Sequence, residues 1–175
     1  MTTEEEKMLV TEAQNGSQKA IGLLWDSITP KLYGYLVNVL KDKNLAEDIL
    51  QNTWQKAIQS LPKYEYRNIR FSAWLFAIAK NECRQHWRST KPEDTLDSVE
   101  KKLSYTSTQN DSNLMIDHIM KILPENDQEL LRLRYIADLS FNEIAKILRI
   151  TPITARVRIH RSLARARNIL KKESL

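Results

Sequence analysis

Arg156, Arg158, His160, Arg161 and Arg165 crowd into ten residues near the end of the chain. From Thr151 to Lys172 there are seven Lys or Arg, one His and no acid. Such a run suits a polyanion. Arginine bonds guanine bidentately in the major groove, and the other cations hold phosphates. At about 100° per helical residue, Ala155, Ile159, Ser162, Ala166 and Ile169 share one face. Arg156, Val157, His160, Arg161 and Ala164 lie opposite. One side is suited to burial and the other to a groove.

A second constellation lies at the centre of the chain, in Phe71–Arg88. Phe71, Leu75, Ile78 and Ala79 make its apolar face. Lys80, Arg84 and Arg88 recur at i, i+4 and i+8 with Asn81 beside them, and Trp74 and Trp87 border this stripe. Tyr64, Tyr66 and Arg67 sit just upstream. Cations interleaved with aromatics suit single-stranded nucleic acid: phosphates take the cations and splayed bases stack on the rings, at roughly 1–3 kcal/mol per base. Core packing accounts equally well for any one of these rings taken alone.

Enzyme chemistry finds little support. Cys83 and His86 stand at i, i+3 on a helix, but no orienting acid or oxyanion hole is near. No glycine-rich phosphate loop or paired-carboxylate motif stands out. Three scattered His and one Cys give no metal-ligand cluster and no intramolecular disulfide. The expectation is a protein without catalytic residues, metal or cofactor, in a reducing cytoplasm. No apolar run approaches the roughly 20 residues of a membrane span, and the acidic start Met1-Thr-Thr-Glu-Glu-Glu is unlike a signal peptide.

These residues need elements to position them, and the elements read as helices. The 175 residues contain three Gly and five Pro, too few for a turn-rich β fold. The expected helices begin with Thr3–Asn15. A second is capped by Ser17, with Ile21, Leu24, Trp25 and Ile28 on one face. Thr29-Pro30 is expected to restart the helix, followed by an apolar set of Leu32, Tyr35, Leu36, Val39 and Leu40. Asn44 with Glu47 resembles a capping box opening a helix with the stripe Ile49, Leu50, Thr53, Trp54, Ala57, Ile58 and Leu61. Pro62 ends it, and Lys63–Arg70 reads as a polar, aromatic loop.

Ser89–Asn113 loses all periodicity. Nine of its 25 residues are Ser or Thr, so it reads as a flexible linker. Beyond it, Leu114–Leu123 is one helix, stopped by Pro124. Asn126 or Asp127 is expected to cap Gln128–Ala137. Ser140 with Glu143 forms a capping box, and Phe141, Ile144, Ala145 and Leu148 fall at i, i+3, i+4 and i+7. Thr151 caps the last helix, with Pro152 at its first position. Two helices joined by a short turn, the second basic near its start, read as a helix-turn-helix. Arg149 occupies the turn where Gly is common.

The net charge is +5, distributed in blocks. Residues 1–62 carry −2, 63–91 carry +5, 92–113 carry −3 and 114–175 carry +5. Two basic blocks flank an acidic linker, a pattern that favours nucleic acid over a merely solvated face. The expected fold class is all-α, two small helical domains joined by a flexible linker, the second a helix-turn-helix. The expected boundaries are 1–88, 89–113 and 114–175.

Several stretches together resemble the sigma-70 family of bacterial RNA polymerase specificity factors, in particular the extracytoplasmic-function class. Lys31-Leu-Tyr-Gly-Tyr-Leu36, Ala46-Glu-Asp-Ile-Leu-Gln-Asn-Thr-Trp-Gln-Lys-Ala57 and Phe71-Ser-Ala-Trp-Leu-Phe-Ala-Ile-Ala-Lys-Asn81 are similar to region 2. Leu123-Pro124, Leu131-Arg-Leu-Arg-Tyr135, Leu139-Ser-Phe-Asn-Glu-Ile-Ala145 and Thr154-Ala-Arg-Val-Arg-Ile-His-Arg161 are similar to region 4. The resemblance covers about residues 17–88 and 114–170, with the motifs in the family's order.

The resemblance implies a role for each stretch. The Ala46–Trp54 helix would dock on the clamp of the polymerase β′ subunit through Asp48, Gln51 and Asn52. Lys63, Tyr64, Tyr66, Arg67, Phe71, Trp74, Lys80, Asn81, Arg84 and Arg88 would open and hold the −10 promoter element. Thr154, Arg156, Val157, Arg158, His160, Arg161 and Arg165 would read the −35 element, and Arg134 aligns with a DNA-contacting arginine of the family. Region 4 would also touch the β flap. An anti-sigma factor is an expected partner. The resemblance includes no counterpart of the housekeeping factors' inhibitory region or third domain; Ser89–Asn113 would replace the latter. Ala155 stands where Val is usual, Val157 where Ser is frequent and Leu163 where Arg is common. Val157 therefore suggests apolar contact with a thymine methyl. A stand-alone helix-turn-helix regulator or a helical adaptor without DNA would be the competing readings.

Overall fold

The structure is a computed structural model that describes residues 1–66, 69–90 and 111–173. The chain is all-α and divides into two compact units, residues 1–103 and 104–175.

Among its described residues, the first unit holds α1 (Thr3–Gln14), α2 (Gln18–Leu40), α3 (Lys43–Ser60) and α4 (Phe71–Ser89). A capping box of Thr2 and Glu5 opens α1. The Ser17 hydroxyl accepts from the Ala20 amide to start α2, as its sequence predicts. The core is built from α2, α3 and α4: Leu24, Leu32, Tyr35, Leu36, Ala46, Ala57, Leu75 and Phe76 are all essentially inaccessible. Tyr35 meets Phe76 edge to face at 5.4 Å.

Several expectations fail in this unit, among them that for Trp25, which is 37% exposed. Pro30 does not restart a helix; it lies inside the continuous α2. A proline there removes one backbone bond. Leu24 and Ile28 before it and Leu32 and Leu36 after it are all buried, which holds both halves in line. Asn44 is not the cap of α3. Asp42 is, its carboxylate accepting from the Leu45 amide at 3.1 Å. Lys41, in the left-handed conformation, turns the chain between α2 and α3 and brings Asp42 to the capping position. Finally, Ile58 projects outward (43% exposed) from the predicted apolar stripe.

The second unit holds α5 (Asp111–Ile122), α6 (Glu125–Leu131), a π-type turn at Arg132–Ile136, α7 (Phe141–Leu148) and α8 (Pro152–Glu173). Helices α5, α6 and α7 all pack on α8. Leu130, Leu133, Leu139, Ile144, Ala145, Ala155 and Ile159 form the centre of its core. The predicted caps of α6 are both wrong: the helix starts at Glu125 with Pro124 in the capping position, and Asp127 is buried. The α-helix also ends at Leu131, short of the expected Ala137; the chain widens instead into the π-type turn, closed by the Ala137 amide on the Arg132 carbonyl at 3.0 Å. Of the stretch expected as a linker, Ser89 ends α4 and residues 111–113 open α5. Residues 91–110 lie outside the described residues.

Candidate nucleic-acid and polymerase interfaces

In the second unit, Ser140 and Glu143 form the predicted reciprocal cap. The Ser140 hydroxyl accepts from the Glu143 amide, and the Glu143 carboxylate accepts from the Ser140 amide at 2.8 Å. The turn that follows is a Schellman closure. Arg149 adopts φ 56°, ψ 46°, and the Ile150 amide donates to the Ala145 carbonyl at 2.9 Å. Thr151 then caps α8, accepting from the Thr154 amide at 3.1 Å.

These devices fix the orientation of α8. Ala155, Ile159 and Ser162 are buried in the unit, while Arg156, Val157, Arg158, His160 and Arg161 are exposed. The division of the helix predicted from its periodicity is therefore present in the fold. Three members of the expected −35 set carry internal contacts. The Thr154 hydroxyl lies 2.8 Å from that of Thr151. Arg134 donates to the Leu139 carbonyl at 2.8 Å, and its guanidinium sits 5.1 Å from the Phe141 ring centre. It thereby braces the segment leading into α7. Arg165 is paired with the buried carboxylate of Asp127 on α6 while its own side chain stays exposed.

In the first unit, Lys63 ends a short 3-10 turn, Leu61–Lys63, and is exposed. Tyr66 is 45% exposed, with the Lys7 ammonium 5.7 Å from its ring centre. Arg67 lies outside the described residues. Along α4, Asn81, Arg84 and Arg88 are exposed and Lys80 half-buried. Trp74, also half-buried, packs against Tyr64 at 4.9 Å and Phe71 at 5.5 Å. Phe71, on the apolar face as its spacing indicates, is 2% exposed and wedged among Trp54, Tyr64 and Trp74, where it forms a floor for the aromatic cluster.

Sequence reasoning missed the part that α1 plays. Arg70 precedes α4 but has no acceptor atom with which to cap it. Glu6 performs that task from 66 residues away. Its carboxylate, 4% exposed, accepts from the amide and the hydroxyl of Ser72, both at 2.9 Å. Gln14 donates to the carbonyls of Leu61 (3.0 Å) and Tyr64 (2.7 Å). Helix α1 thus grips both ends of the aromatic loop, and a cleft of about 180 Å³ lies between them, lined by Lys7, Gln14, Tyr64 and Tyr66 among others. Neither partner has a local signal, since both bond to groups remote in sequence.

The third surface is on α3. Asp48, Gln51 and Asn52 are exposed, back to back with the buried Ile49, Leu50, Thr53 and Trp54. The Trp54 indole donates to the Thr29 hydroxyl at 3.1 Å, and Lys56 pairs with Glu82 of α4 at 2.6 Å. These contacts fix the rotation of α3, so its polar edge faces outward.

Comparison with known proteins now resolves the family. Residues 24–93 match the Sigma-70 region 2 model and residues 113–165 the Sigma-70, region 4 model. The RNA polymerase sigma factor CarQ of Myxococcus xanthus is 30% identical, over 90% of this chain and 92% of its own. The chain belongs to the sigma-70 family, in its ECF class. The ECF RNA polymerase sigma factor SigW of Bacillus subtilis is 28% identical, with 95% of each chain covered. Two solved structures share the fold of this sigma factor. CnrH, in complex with the cytosolic domain of CnrY, superposes with a TM-score of 0.73 at 21% identity, covering 96% of this chain and 98% of its own. Bartonella quintana RpoE, in complex with the anti-sigma factor NepR, gives 0.65 at 20% identity, covering 87% and 98%. Among the described residues of this factor, no helix is long and apolar enough to cross a membrane.

Proposed function

We propose that this protein is an alternative sigma factor that recruits core RNA polymerase to promoters carrying −35 and −10 elements and assists in opening the duplex. The single observation that carries the reading is that each unit has its own cationic surface of a different kind. On α8 the exposed cations line a bare helical face, suited to a duplex groove. On α4 they stand beside exposed and half-buried aromatic rings, suited to unstacked bases. A stand-alone regulator uses the first surface and leaves the second idle.

In this reading residues 1–88 bind polymerase and the −10 element, and residues 114–175 bind the −35 element. Asp48, Gln51 and Asn52 contact the β′ clamp, and the second unit contacts the β flap. Tyr64, Tyr66 and Trp74 hold unstacked bases, and Lys63, Arg67, Lys80, Asn81, Arg84 and Arg88 hold the strand around them. Arg156, Val157, Arg158, His160 and Arg161 read the −35 duplex, supported by Arg134, Thr154 and Arg165. The chain itself carries out no reaction and acts in the cytoplasm, under the control of an anti-sigma factor. Two proteins of the same fold support that last assignment: CnrH, solved in complex with the cytosolic domain of CnrY, and RpoE, solved in complex with the anti-sigma factor NepR.

The test is run-off transcription with core polymerase on a genomic fragment library. Discrete transcripts that depend on the added protein are expected, with permanganate-reactive thymines appearing near −10. Sequence-specific binding to an isolated palindromic duplex, with no transcript, would instead favour the stand-alone regulator.

A further inference from the structure

Within the exposed cationic face of α8 lie two residues that charge does not explain. Ile153 is 77% exposed, the most exposed large apolar side chain among the described residues, and Val157 is 41% exposed. They are four residues apart, so they stand on one face about 5–6 Å from each other. Arg156, His160 and Arg161 surround them, all exposed. No acid occurs from Thr151 to Lys172.

The first turn of the helix offers little else. Ala155 is fully buried and the Thr154 hydroxyl is engaged with Thr151. The groups presented at the tip of the helix are therefore Ile153, Arg156 and Val157. In a helix-turn-helix it is the N-terminal part of the second helix that reaches base edges. The major groove presents one apolar group, the thymine C5-methyl.

We propose that Ile153 and Val157 form a methyl-reading pair that selects thymines in the −35 duplex. The proposal rests on α8 reading that duplex, and it adds which base is chosen and by what contact. The flanking charge decides between occupants. An apolar protein partner would have to desolvate three cations, whereas DNA uses them on phosphates and guanines. Both side chains are β-branched and stiff at χ1, so little rotamer freedom is lost on contact. Their separation along the axis is about 6 Å. Bases on one strand rise about 3.4 Å per step, so the two methyls lie one or two steps apart.

The experiment uses holoenzyme assembled from core polymerase and the full chain. Duplexes with a randomised −35 region are enriched by holoenzyme binding, and each thymine of the winners is then replaced by uracil, which removes only the methyl. Uracil is expected to weaken binding about fourfold at each of two nearby positions, the weight of roughly one buried CH₂ apiece. Val157→Ala should abolish the penalty at one position and Ile153→Ala at the other, with polymerase assembly unchanged. The proposal is overturned if uracil matches thymine everywhere, if the winners lack thymine, or if the penalty survives in the double variant. Failure to enrich any −35 sequence would remove the underlying reading as well, a result distinct from enrichment without methyl sensitivity.

Discussion

At the residue scale, Arg161 and Arg165 carry the same charge on the same helix but differ in what already holds them. Both are exposed, but Arg165 is also paired with the buried Asp127 carboxylate. Arg161→Ala should therefore lower −35 affinity by roughly 1–3 kcal/mol and relax selectivity at one base pair if the guanidinium bonds a base. Arg165→Ala should weaken binding less and more evenly across sequences. Titration of both variants against a panel of single-base −35 changes decides the matter. A uniform loss for Arg161→Ala would reduce that residue to a phosphate contact. Charge and periodicity indicated the exposed row correctly, but could not separate these two arginines, because Asp127 reaches Arg165 across 38 residues of sequence.

At the element scale, two helix ends govern where the surfaces sit. The N-terminus of α4 depends on Glu6 of α1. Glu6→Ala leaves the Ser72 amide and hydroxyl without that carboxylate and should destabilise the first unit by about 2 kcal/mol, the usual weight of bonds to a charged group. All four tryptophans, Trp25, Trp54, Trp74 and Trp87, lie in this unit. Tryptophan fluorescence in urea therefore reports its unfolding alone, and an unchanged midpoint would show that the cap contributes nothing. The end of α7 presents the opposite case. Arg149 is held in the left-handed region, where a residue with a Cβ is disfavoured by about 1–2 kcal/mol. Glycine recovers that, less its greater freedom in the unfolded chain. Arg149→Gly should stabilise the second unit by about 0.5–1 kcal/mol, raising its thermal transition by circular dichroism. No rise would mean that the side chain contributes contacts that offset the strain. The Schellman closure was hidden in the sequence because its glycine is missing.

At the scale of the whole molecule, the proposed role requires the two units to act through one polymerase. Asp48 is exposed on α3 with buried residues on the opposite side. Asp48→Lys should change stability by no more than about 0.5 kcal/mol, as surface substitutions generally do, yet the variant should lose to wild type in competition for core polymerase. An equal share of polymerase for both proteins would remove α3 from that interface.

What the sequence alone determined were the features whose causes are local. Helical content, the caps at Ser17, Ser140 and Thr151, the two faces of α8 and the two basic blocks all follow from residues within a turn or two of each other, where side-chain spacing and backbone donors meet directly. What only the tertiary structure decided involves partners distant in the chain. The periodicity of α4 already put Phe71 on its apolar face; that Trp54 and Tyr64 are the rings that close around it was decided by the fold. Pro30 stayed inside α2 because buried leucines on both sides outweigh one lost backbone bond. Helix α1, a weak acidic segment in the sequence, became the clasp of the aromatic loop through Glu6 and Gln14. Burial and long-range hydrogen bonding depend on which surfaces the fold brings together, and that is information no local pattern carries.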